Sequence, residues 1–321
     1  MLEINGLYKK FNLEDGLFAK YGRFVYAVNG VTLKINDGET YGLVGESGCG
    51  KSTLSRIIAG IYPYDDGEIK FTSKSGEVFL PGKEKNAERV KSMRKAIRYI
   101  FQDPAKSLNP RLPISQILTE GARWMGLFDK KEALLQAEKI LSAVGLNAED
   151  LSRRPGDFSG GQRQRISIAR ALITKPEILL CDEVVSALDV SVQSQIINLL
   201  LELKEKYNIT VLFISHDLSV VSYISDRVGV MYGGMLMEEL AADKIMTEHC
   251  HPYTKLLYSS VVKSSPKNEL ERTESEVANL VVPISGCPFA NRCPMADNYC
   301  RENIPQMKEK SPGHRVACHK V

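Results

Sequence analysis

At 321 residues, 43% of them hydrophobic, the chain can bury a core as one large domain or two modest ones, which excludes a disordered polymer. Its 42 basic and 39 acidic residues leave a formal charge of +3, too even a balance to argue for a nucleic-acid surface. No apolar run approaches the roughly 18–20 residues of a membrane crossing. The longest candidates are Ile178 to Cys181 and Val211 to Ile214, so any membrane role is expected to be peripheral.

The opening Met1-Leu2-Glu3-Ile4-Asn5 has neither the basic start nor the apolar centre of a secretory signal, so the expectation is a cytoplasmic chain whose seven cysteines are mostly reduced. Leu2 to Leu7 and Val28 to Ile35 alternate as strands, and Asn36-Asp37-Gly38 is a turn. Tyr41 to Val44 reads as a buried strand running into Gly45-Glu46-Ser47-Gly48-Cys49-Gly50-Lys51-Ser52, after which Ser52 to Ile61 has helical spacing. Strand, glycine loop and helix form the context that a phosphate-gripping loop requires. Glycines let backbone N–H groups turn around phosphate oxygens, and the helix start adds its positive end. Lys51 is placed to reach the β and γ phosphates and Ser52 to ligate Mg²⁺. An ordinary glycine turn is the bland alternative, disfavoured by both flanks.

Strand-like pieces at Glu68 to Phe71 and Glu77 to Leu80, in a polar, turn-rich stretch, predict an antiparallel β patch. Helical patterns between Ile114 and Val144, including Lys130 to Val144, predict a helical insertion. Ser159-Gly160-Gly161-Gln162 precedes the helical run Ile166 to Leu172, either as a second anion-ready helix start or simply as an N-capped helix. The parallel-sheet pattern returns at Ile178 to Cys181 and Thr210 to Ile214, with a helix from Val190 to Tyr207 between them, giving a doubly wound α/β core. Asp182 and Glu183 end the first of these strands, where the apolar lead-in makes ionised side chains costly without a cation. Asp182 is expected to hold Mg²⁺, usually through water, and Glu183 to orient and polarise the attacking water; solvated acids at a strand end are the alternative.

Together with Gln102 in Phe101-Gln102-Asp103-Pro104, Ser186-Ala187-Leu188-Asp189 and His216, these motifs resemble the ATP-binding-cassette family, in its order, over almost all of residues 1–260. The resemblance implies a phosphate-loop cassette over residues 1–262, with a parallel-sheet core, antiparallel patch and helical insertion at about 103–157, then a small cysteine-rich extension over 263–321. It implies ATP and Mg²⁺, with nucleotide contacts from Gly45, Glu46, Ser47, Gly48, Cys49, Gly50, Lys51, Ser52 and Thr53, and Mg²⁺ contacts from Ser52, Gln102 and Asp182. Glu183, His216 and Gln102 carry catalysis in that reading, while Ser159, Gly160, Gly161 and Gln162 serve the ATP of a partner cassette. Tyr21, Phe24 and Tyr26 are the candidates to stack on adenine, with Tyr21 preferred.

A closer resemblance, to the ATPases of peptide importers that also serve nickel, is carried by Val44 to Lys51, Phe101 to Pro110 and Asp189-Val190-Ser191-Val192-Gln193. Gly16-Leu17-Phe18 before Ala27-Val28 is similar to the second of two paired ATPases. The implied partners are a second ATPase subunit in a heterodimer, two transmembrane permease subunits and, indirectly, an external solute-binding protein, with the chain on the cytoplasmic face of the membrane. One departure is Val184-Val185, where that family has Pro-Thr. A cassette acting on DNA or ribosomes is the alternative, but the chain has neither a long internal coiled coil nor a second cassette.

Cys287, Cys293, Cys300 and Cys318 fall within the last 35 residues and mark a separate module. Four thiolates suit either tetrahedral zinc or a [4Fe–4S] cluster, and their spacing does not choose. The tail resembles that of peptide-importer ATPases from Gly286-Cys287-Pro288-Phe289 to Ala317-Cys318-His319, which implies the cluster, with zinc as the alternative. His314 and His319 are spare ligands or surface groups; Lys267 to Glu276 is an exposed, partly helical connection. Cys49, at a helix start, could be an oxidisable thiol but would be covered by nucleotide; Cys181 is a core residue; and His249-Cys250-His251 resembles a metal pair but is read as a surface turn before a helix near Pro252.

Overall fold

The computed structural model describes residues 1–12, 24–262 and 285–321. Tyr21, Gly16-Leu17-Phe18 and the connection Lys267 to Glu276 lie outside the described residues.

β1 (Leu2–Asn12) and β2 (Phe24–Ile35) pair antiparallel from Leu2 opposite Ile35 to Asn12 opposite Phe24, so both strands outrun the stretches whose alternation announced them. β3 (Thr40–Val44) is buried along its whole length, and α1 (Lys51–Ile58) starts directly after the glycine loop. The helix stops short of Ile61 because Gly60 takes a φ of 69°, the left-handed conformation that ends helices. β4 (Asp66–Thr72) returns against β1, and β5 (Val78–Phe79) against β4, completing the expected antiparallel patch in the order β2-β1-β4-β5.

α2 (Ala87–Ala96), capped by the Asn86 side chain, feeds β6 (Ile97–Ile100). The insertion follows as α3 (Pro104–Ser107), α4 (Ile114–Trp124) and α5 (Lys130–Ala143), and the apolar faces of α4 and α5 pack on α6 (Gly160–Leu172). The doubly wound part continues through β7 (Ile178–Asp182), α7 (Val190–Tyr207), β8 (Thr210–Ser215), α8 (Leu218–Ile224) and β9 (Arg227–Tyr232). β10 (Met235–Ala241) turns back antiparallel to β9 and leads to α9 (Pro252–Val262).

β3, β6, β7, β8 and β9 run parallel, and their residues face two separate cores. Leu43, Ile178, Leu180, Leu212 and Ile214 pack toward α1 and the antiparallel patch, whereas Val44, Leu179, Cys181, Val211 and Phe213 pack toward the helical layer. Burial on both faces explains the near-continuous apolar runs. The register sets Val44 beside Ser215 and Asp182 beside Ile214, so three strands end together at one rim.

The cysteine tail is not free-standing. After α10 (Asn298–Glu302), β11 (Lys308–Ser311) and β12 (His314–Val316) form a hairpin, and β12 pairs with β10 through Glu238–Val316 and Glu239–Arg315. The main sheet therefore reads β11-β12-β10-β9-β3-β8-β7-β6. Phe289, 2% exposed, joins the helical-side core against Tyr232 and Tyr253. Burying such a ring contributes about 1.5–3 kcal/mol, enough to fix a segment with little core of its own. Among the described residues no helix is long and apolar enough to cross a membrane.

Candidate functional site

The rim where β3, β7 and β8 end carries the loop Gly45 to Ser52, the pair Asp182-Glu183, and His216. This is the strand-end position at which open α/β sheets bind ligands. A cavity of about 310 Å³ opens there, walled by Ser47, Gly48, Gly50, Lys51, Ser52, Thr53, Gln102 and Glu183, with Phe11, Val25 and Ala27 on the flank.

The loop cannot hold larger residues at two of its glycines. A Cβ on Gly45 would stand 2.1 Å from the Met231 carbonyl, and one on Gly50 2.0 Å from that of Ala27. α1 opens at Gly50 without a side-chain cap, so its first backbone N–H groups remain available to an anion. The Lys51 ammonium donates to the carbonyls of Gly45 at 2.6 Å and Glu46 at 2.9 Å, bonds that phosphate oxygens can replace.

Ser52 donates its hydroxyl to Asp182 Oδ1 at 2.8 Å. Neighbouring oxygens in an octahedral Mg²⁺ shell stand about 2.9 Å apart, so the pair fits that ion. Tyr99 donates to the other oxygen, Asp182 Oδ2. Burial first, and the Asp182 carboxylate second, push the Tyr99 phenol well above its ordinary value, so it stays a donor. Tyr99 was not singled out in the sequence; its only signal is its place on β6 beside β7. Glu183 follows the strand at φ 50°, accepts from Gln102 Nε2 at 2.8 Å, and has His216 Nδ1 at 3.9 Å. The three expected catalytic groups thus meet around one carboxylate. Val184 and Val185, the departure from the family pattern, are each 2% exposed and pack into the core without displacing either acid.

Ser159 caps α6 in a two-way box, accepting from Gln162 N–H at 3.3 Å while Gln162 Oε1 accepts from Ser159 N–H at 3.0 Å. Ser159 and Gly160 are exposed, and none of Ser159 to Gln162 lines the cavity. Among described aromatics, Phe11 lines it, whereas Phe24 and Tyr26 do not. Cys49 does not fit an oxidisable thiol: it is 5% exposed, and burial raises its pKa against the pull of Lys51.

In the tail, burial lifts the Cys287 thiol from 9.0 to about 11; the Phe289 amide opposes this, and Cys318, Cys293 and Cys300 reinforce it. The four thiols are therefore close enough to repel as thiolates, a set that ionises readily only around a cation. Among the described residues, the one group of three metal-type ligand atoms within 4.8 Å of one another is Glu238, Cys250 and His314, so no three tail sulfurs are that close.

The two spare histidines are engaged elsewhere. His319 Nε2 bonds the Asn303 carbonyl at 2.9 Å. His314, 6% exposed rather than on the surface, meets Glu238 Oε1 at 2.8 Å. Glu238 is fully buried and also accepts from the N–H groups of Cys250 at 2.6 Å and His251 at 3.1 Å. The expected surface turn is thereby partly interior, with His251 1% exposed.

Loop, paired acids and capped second helix on this sheet define a phosphate-loop nucleotide site. A family model described as ABC transporter matches residues 28–186, and one described as oligopeptide/dipeptide transporter, C-terminal region, matches 237–300. The oligopeptide transport ATP-binding protein AppF of Bacillus subtilis is 45% identical over 99% of this chain and 97% of its own length. OppF of Haemophilus influenzae is 42% identical over 100% and 97%. The ATP-binding cassette MJ0796, in a dimeric post-hydrolysis state bound to ADP and Pi, superimposes with a TM-score of 0.65 at 27% identity, over 75% of this chain and 99% of that one. The chain belongs to the ABC transporter ATPases, among the transport ATP-binding proteins that carry the oligopeptide/dipeptide C-terminal region. Its role is in transport rather than on DNA or ribosomes.

Proposed function

We propose that this chain energises an importer of oligopeptides or dipeptides from the inner face of the membrane, as one of two unlike cassettes working against two permease subunits. The observation that carries the pairing is a cavity whose walls include the phosphate loop, Gln102 and Glu183 but none of Ser159 to Gln162. A second cassette turned head to tail supplies its own signature to that open side and receives Ser159 to Gln162 in return. The dimeric state of MJ0796 supports this arrangement, and the names of AppF and OppF support the peptide cargo.

Within the site, the loop amides and Lys51 bind the phosphates, Ser52 and Asp182 hold the oxygen side of Mg²⁺, and Tyr99 keeps Asp182 oriented. Glu183 positions the attacking water, with Gln102 and His216 on either side of its carboxylate. Phe11 is the described ring placed to meet the base. Beside the Gln102 loop, a groove of about 370 Å³ combines Ile61 and Phe101 with Arg94, Arg98 and Arg170, a surface suited to a permease helix with acidic and apolar residues.

Cys287, Cys293, Cys300 and Cys318 would hold a [4Fe–4S] cluster, with zinc as the alternative, supported by four thiols gathered closely enough that Cys293, Cys300 and Cys318 act on Cys287. Such a group supplies a four-point cross-link to a tail with little core. The test is co-expression with candidate partner ATPase, permeases and binding protein, followed by reconstitution in liposomes. Peptide-loaded binding protein should stimulate ATP hydrolysis, and both unlike ATPases should co-purify; stimulation by other solutes alone, or a complex with two copies of this chain, sinks the reading. Oxygen-free purification should give about four irons and four sulfides per chain, and an iron-free, zinc-loaded protein would replace cluster by zinc.

A further inference from the structure

Glu46, the second residue of the phosphate loop, is held from three directions. Its carbonyl accepts from Lys51 at 2.9 Å, the bond a triphosphate must displace. Its N–H donates to the hydroxyl of Tyr253, a fully buried residue at the start of α9, at 2.9 Å. Its carboxylate receives both arms of the Arg292 guanidinium, Nη1 to Oε2 at 2.7 Å and Nη2 to Oε1 at 3.0 Å. Arg292 lies 246 residues away, in the cysteine tail immediately before Cys293.

The contact is built rather than incidental. Arg292 also lies over the rings of Tyr232, at 5.7 Å, and Phe289, at 5.8 Å. Tyr232, Phe289 and Tyr253 pack on one another with centroids 4.6–5.4 Å apart, so guanidinium and loop tyrosine rest on one aromatic block. A planar fork over aromatic rings, paired with both oxygens of a carboxylate, is an arrangement that lysine cannot copy.

Glu46 places a negative charge on a loop whose ligand is a polyanion. Arg292 cancels that charge and fixes the peptide of Glu46 while Lys51 exchanges its carbonyl partners for phosphate. We infer that Arg292 is a positioning residue for nucleotide binding, through which the cysteine tail sets the affinity of the phosphate loop for ATP. Since coupling is reciprocal, bound nucleotide tightens the tail by the same factor.

The full-length chain with Glu183→Gln, which prevents turnover, is titrated with a fluorescent ATP analogue and Mg²⁺. Because the ion pair is about a third exposed, Arg292→Ala should weaken binding by about 5- to 20-fold. In the assembled transporter with Glu183 intact, kcat at saturating ATP should stay within about twofold, the split expected when only binding is lost. Arg292→Lys should recover part of the affinity. Removing the unpaired charge as well, with Arg292→Ala and Glu46→Gln together, should bring it back to within about threefold. Unchanged affinity in Arg292→Ala, or a loss that Glu46→Gln does not repair, overturns the inference and leaves Arg292 as a tail-docking residue. Glu46→Gln alone breaks the pair from the loop side should Arg292→Ala fail to fold; hydrogen exchange over residues 286–300 then reports the link. In the wild-type chain exchange there should slow on adding MgATP, and in Glu46→Gln it should slow less; equal slowing overturns the proposal.

Discussion

The nucleotide rim and the cysteine tail both gather ligand groups, but by opposite routes. At the rim, parallel strands buried on both faces end in register, and each delivers a short run of consecutive residues: Gly45 to Ser52, Asp182-Glu183, His216. The scaffold is rigid before any ligand arrives. In the tail, three thiols come from loops and the fourth, Cys300, from a five-residue helix, and the segment is attached to the cassette by one edge strand, one buried ring and a few charged contacts. A defect at the rim should therefore cost chemistry while leaving the fold, and a defect in the tail should cost local structure while leaving the catalytic groups in place.

The sharpest test is Glu183→Gln, which keeps shape and hydrogen bonding and removes the charge that polarises water. Hydrolysis in the assembled transporter should fall by about 10²–10³-fold with ATP binding kept, measured by phosphate release and nucleotide titration. A fall of less than tenfold would move the catalytic role to His216 or Gln102.

Next come two glycines with the same kind of obstruction. A Cβ on Gly45 meets the Met231 carbonyl at 2.1 Å, and one on Gly286 meets the Arg301 carbonyl at 2.2 Å. Gly45→Ala should abolish measurable ATP binding and cost about 1–3 kcal/mol, spread over the whole cassette rather than confined to one segment. Gly286→Ala should cost about 3 kcal/mol, confined to the tail, seen as protease cleavage within 286–321. If Gly286→Ala instead lowered the stability of the whole chain equally, tail and cassette would be one cooperative unit and the contrast would fail.

The rim was legible because its chemistry lies in contiguous runs whose strand and helix flanks are visible in the same few residues. What stayed hidden joins residues far apart. Tyr99 orients Asp182 from 83 positions away, and nothing at Tyr99 announces a partner. β11 is exposed along its length, so no apolar alternation predicts it, and with it the continuation of the main sheet was missed. Gly233-Gly234 between β9 and β10 was a readable hairpin signal that went unused. Burial overturned the expectations for His251 and His314, since the character of a titratable group depends on packing that no short window contains.

His251 provides the smallest predicted effect and tests how the two regions communicate. Its Nδ1 accepts from Tyr253 N–H at 3.0 Å, which leaves the proton on Nε2, facing the Ala317 backbone without closing a full hydrogen bond. Burial lowers the ring's pKa from 6.5 to about 4, against the opposing pull of the Glu238 carboxylate. Between those values the unfolded chain binds the proton and the folded chain does not. The stability contributed by neutral His251 is thus complete above about pH 6.5 and is lost as pH falls toward 4, by up to about 2 kcal/mol at pH 5. Protonation also removes the acceptor that holds Tyr253, whose hydroxyl supports Glu46 in the phosphate loop. His251→Asn keeps an acceptor near Nδ1 and cannot titrate, so urea unfolding from pH 7.5 to 5 should show a flatter acid limb than wild type, and ATP affinity should lose less over the same range. Parallel limbs would place the acid sensitivity in another group and detach Tyr253 from it.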